Sequence, residues 1–192
     1  MNKVVFLTIS RQRVLYDVEN LCYVEGDIMK AEDEHARHQV LDVAQDGNVD
    51  RATRVMDMAF SRCVEMCFPY SKVPVTEAGV ARPVGERVTY GTNVETSDTR
   101  DGIAVEEDDI FNETANYIMK LMVPEEMSLT TLNLLAKYVH EFMVASVLAD
   151  WLSITKPASQ EKWERKMEDA ASQISKTIMF RCGRVRRTQT PF

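Results

Sequence analysis

Between Leu129 and Ser153 the chain carries a helix-forming stretch with apolar residues on more than one side, and a small fold must find cover for all of them. Leu135, Tyr138, Val139, Phe142, Ala145, Ala149 and Leu152 recur at three- and four-residue spacing, the stripe with which a helix faces a core. Val144, Val147, Leu148 and Trp151 form a second stripe on a different side. A chain of 192 residues has few elements with which to cover both, so the second stripe is expected to meet a neighbouring subunit. After a break at Ile154-Thr155-Lys156-Pro157, a second helical stretch has a single seam, Trp163, Met167, Ala170, Ile174 and Ile178, and a charged opposite side. The pair reads as a helical hairpin over residues 128–183, its second member outermost.

Upstream, Lys3 to Thr8 is strand-prone, and Ser10 is a predicted N-cap for a helix over Arg11 to Val24, interrupted at Gly26 and Asp27. Helices are expected from about Glu32 to Gln45 and from Asp50 to Cys67, separated by a turn at Asp46-Gly47-Asn48, so that residues 10–70 form a helical N-terminal part. Helical periodicity then stops. Strand character returns at Arg87 to Val94 and at Asn116 to Val123, where Tyr117, Met119, Leu121 and Val123 share one face. These two segments predict a β-hairpin over 84–123 around an acidic loop. The expected fold is mainly α, of α+β class: a single-domain helical bundle with a long C-terminal antiparallel hairpin, an inserted β-hairpin and a basic tail at 184–192.

Charge is uneven along the chain, whose net value is -7. The loop contains Glu106, Glu107, Asp108 and Asp109, whereas the end carries Arg181, Arg184, Arg186 and Arg187 and closes on Phe192. Isolated charge runs are usually solvated, but opposite patches on different surfaces also suit a head-to-tail contact that closes into a ring. The acidic run is therefore expected at a subunit contact. The arginines and Phe192 are expected to dock a partner or to line a DNA channel. The acidic net charge speaks against a protein that coats nucleic acid.

Chemistry-bearing motifs are missing. His140-Glu141 lacks the second histidine of a zincin helix, Asp98 to Glu107 does not have EF-hand spacing, and no phosphate-binding glycine loop or nucleophile elbow occurs. Cys63 and Cys67 with His35 and His38 make a zinc site conceivable, although buried thiols and surface histidines are the plainer reading. The expectation is no enzyme, cofactor or metal. No run of about 18 uninterrupted apolar residues occurs, so no membrane span is expected either.

His35-x-x-His38-Gln39-Val40-Leu41-Asp42, Gln45-Asp46-Gly47-Asn48-Val49-Asp50-Arg51, Arg54-Val55-Met56 and Pro69-Tyr70 resemble the N-terminal helical pair of small neck proteins of gut Bacteroidales phages, crAss-like phages included. Tyr138-Val139-His140-Glu141-Phe142, Val147 through Pro157, Gly183-Arg184-Val185-Arg186-Arg187 and Pro191-Phe192 resemble the C-terminal hairpin of the same family. The resemblance covers about two-thirds of the chain and brings no catalytic residue. It implies a virion protein that forms a ring with copies of itself, commonly twelve-fold, beneath the portal, joining head to tail around the DNA channel. The implied partners are portal and other neck or tail proteins, with non-specific contact to packaged DNA and no small-molecule substrate. From the residues alone, a cytosolic helical regulator or nucleic-acid-binding protein is the alternative, resting on the basic tail and the Asp46-Gly47-Asn48 turn.

Overall fold

A computed structural model of the chain describes residues 2–29, 34–71 and 116–179. Strand β1 (Asn2–Ser10) leads directly into helix α1 (Arg11–Asp27), and α2 (Glu34–Leu41) passes through a short 3-10 turn (Asp42–Ala44) to α3 (Asp46–Met66). Strand β2 (Asn116–Pro124) then precedes α4 (Leu129–Thr155) and α5 (Pro157–Met179). The chain is mainly helical with a two-stranded antiparallel sheet, and its two C-terminal helices pack closely, as their periodicity predicts.

Local chemistry sets the boundaries. The Ser10 hydroxyl accepts from the Arg13 amide at 3.3 Å and the Ser128 hydroxyl from the Thr131 amide at 3.2 Å, so both predicted N-caps satisfy an orphan amide. Lys156 alone links α4 to α5, and Pro157 occupies the first helical position, where its missing N–H leaves no bond unmade. With so short a link and close packing along their lengths, the two helices run antiparallel.

Several boundaries differ from expectation. Helix α1 continues through Gly26 and Asp27, where an interruption is predicted. Gly26 is buried, and a Cβ there would lie 3.3 Å from Leu41 Cδ2, so the glycine admits α2 rather than ending α1. The predicted turn at 46–48 moves upstream: α3 starts at Asp46, and the Asn48 side chain donates to the Asp42 carbonyl at 2.8 Å.

The sheet also has a different composition. β2 pairs with β1 over its whole length, from Asn2 opposite Pro124 to Ser10 opposite Asn116, whereas the sequence pattern pairs it with residues 87–94. Those residues lie outside the described ones. The predicted inner face of β2 is correct, with Tyr117, Met119, Leu121 and Val123 all buried. Tyr117 packs on Phe60 with ring centroids 5.0 Å apart, and its hydroxyl donates to Asp57 at 2.6 Å, which ties the sheet to α3.

Helix α4 is the axis of this arrangement. From Phe142 to Leu152 no residue is exposed, and Phe142, Leu148 and Leu152 are at or below 1% accessibility. The cover comes from the chain itself, with α5 along one side and α1, α2, α3 and β1 around the rest. Val144, Val147 and Leu148, assigned from sequence to a neighbouring subunit, are 6%, 2% and 0% accessible. The correction has a simple cause: three N-terminal helices and a strand supply more surface than the sequence pattern credits to them. By length and composition α4 is also the one described helix able to cross a membrane; its middle from Phe142 to Leu152 is enclosed by protein, whereas Leu129, Leu134 and Ile154 are exposed.

Val147→Asp places a carboxylate in a dry interior and should destabilise the isolated chain by more than about 3 kcal/mol in urea unfolding. The loss relative to the parent chain should be the same at every protein concentration, whereas it would vary with concentration if Val147 lay between subunits.

Candidate functional site

Among the described polar side chains that bridge elements, three groups involve α4 or its link to α5. The densest is at the C-terminal end of α1. Glu25, only 4% accessible, accepts from Lys162 Nζ at 2.6 Å, Lys156 Nζ at 2.9 Å, Ser159 Oγ at 3.0 Å and Trp163 Nε1 at 3.3 Å. Lys156 Nζ also donates to the Glu25 carbonyl at 2.9 Å. One carboxylate thus gathers the α4–α5 link and the first turns of α5 onto α1. Burial alone would raise its pKa. The bonds from Lys162, Lys156 and Ser159, with the charge of Lys156, outweigh it and bring the carboxyl from 4.5 down to about 2.

A second junction joins α1 to α4. His140 Nε2 lies 2.8 Å from Asp17 Oδ2, and Arg13 Nε lies 3.5 Å from the same oxygen while its guanidinium stacks over Tyr16 at 5.2 Å. Ala136, Lys137, His140 and Glu141 line a shallow open depression beside it. A third junction holds α2 and α3: Arg51 Nε donates to Asp150 at 2.9 Å, and Trp151 Nε1 donates to the Val40 carbonyl at 3.0 Å. Trp151, the fourth member of the stripe assigned to a neighbour, therefore spends its donor on its own chain.

Three of the four thiols are enclosed in the core, and Cys182 lies outside the described residues. Cys22, Cys63 and Cys67 are free and fully buried, and burial pushes Cys22 and Cys67 up to about 12 and Cys63 well above 9.0. His35 and His38 lie on the exposed side of α2. Among the described residues no three histidine, cysteine or acidic side chains converge as metal ligands, so the structure does not assemble Cys63, Cys67, His35 and His38 into one site.

On α3, Arg54 and Arg62 are exposed, and acidic residues share the helix with them. Arg51 is held by Asp150, Arg62 lies over the Phe142 ring at 5.7 Å, and Asp50 and Glu65 are exposed on the same helix. Glu106, Glu107, Asp108 and Asp109, and the tail residues Arg181, Arg184, Arg186, Arg187 and Phe192, lie outside the described residues. The Glu25 cluster is the feature that sequence reasoning missed. Its carboxylate precedes Lys156 and Lys162 by more than 130 residues, and no periodicity marks a buried acid. No protein family, curated protein or solved structure matches the chain.

Glu25→Gln should lower stability at neutral pH by about 3 kcal/mol, because a pKa depressed from 4.5 to about 2 represents that much differential interaction. The depressed carboxylate contributes fully above pH 4.5 and loses its contribution as pH falls towards 2. Denaturant midpoints taken across that window should therefore fall more steeply for the parent chain than for the variant.

Proposed function

We propose that this chain is a structural component of a tailed-phage neck, multimerising as a ring that joins the portal to the tail around the DNA channel. The resemblance of its two helical regions to neck proteins of gut Bacteroidales phages supports the reading. So does the use of its bridging polar side chains. Glu25, Asp17, Asp150 and Trp151 fasten one helix to another, as befits a body that transmits position rather than performs a reaction.

The observation that carries most weight is where large apolar side chains remain outside the core. Tyr16 and Tyr23, two turns apart on α1, are 53% and 59% accessible, with Val24 at 53% and Ile28 at 69% beside them. Single exposed apolar residues are ordinary, but a stripe along one helix suits contact with a neighbour. With the second stripe of α4 enclosed, the ring contact moves on this reading to α1. The acidic run and the arginine tail keep their proposed roles, meeting each other across subunits or docking on the portal.

A mass-spectrometric inventory of purified virions whose genome encodes the chain, followed by imaging of the neck, tests the reading directly. The chain should appear in several copies per particle, and its absence from virions overturns the proposal. Tyr23→Asp with Ile28→Asp should reduce incorporation severalfold while the free subunit stays folded, since both side chains are more than half exposed. Replacing Arg184, Arg186 and Arg187 together by alanine should also weaken neck assembly if the tail docks on protein. Normal assembly with altered DNA retention would place those arginines at the channel instead.

A further inference from the structure

We draw no further inference here: the strongest candidate, the outer face of the two-stranded sheet, where Val4 and Phe6 of β1 are more than half exposed, carries nothing, because nothing among the described residues shows what covers it.

Discussion

A helix with no wet side over three turns dictates the rest of this molecule. Between Phe142 and Leu152 only Ser146, Asp150 and Trp151 are more than marginally accessible, and each is partly covered. Leaving even half of that surface exposed would forfeit several kcal/mol of apolar burial. The chain meets this constraint by closing α5 back along α4 through a one-residue link, and by laying the N-terminal helices and β1 over the remaining girth. The amphipathic character of α3 and α5 follows from this arrangement. Each is a cover, apolar on the side that meets α4 and charged on the other.

Apolar burial is non-directional and would tolerate several registers of these covers. The polar junctions reduce that freedom. Glu25 has four donors from α5 and its link, and a shift of α1 by one turn would strand a buried carboxylate with two ammonium groups nearby. Asp150 and Trp151 do the same for α2 and α3 with one ion pair and one indole bond. Gly26 belongs to this set through its lack of a side chain, since Leu41 occupies the space beside it. Position in the bundle is thus fixed near the ends and sides of α4 by groups whose misplacement is expensive, while its middle is fixed by volume.

Much of the fold was legible in periodicity. The seam of α5, the inner face of β2 and the caps at Ser10 and Ser128 depend on local spacing and local hydrogen bonds, which a single sequence displays. What escaped depends on distant pairing. β2 could be recognised as a strand, but strand-prone segments do not name their partners, and Asn2–Ser10 is farther away in sequence than Arg87–Val94. The end of α1 was misplaced because Gly26 reads as a break unless Leu41 is known to lie against it. The same blindness affected the candidate site. Val144, Val147, Leu148 and Trp151 were correctly read as needing cover, yet whether that cover is the same chain or another depends on contacts more than ninety residues away in sequence, such as Trp151 with Val40.

That correction relocates the surfaces through which copies of the chain would meet. With both stripes of α4 internal, the outward apolar positions discussed above lie on β1 and α1, consecutive elements joined at Ser10 without a loop. The α1 stripe offers side chains alone and imposes no symmetry. A ring needs a heterologous contact, and an exposed stripe such as that of α1 is compatible with one.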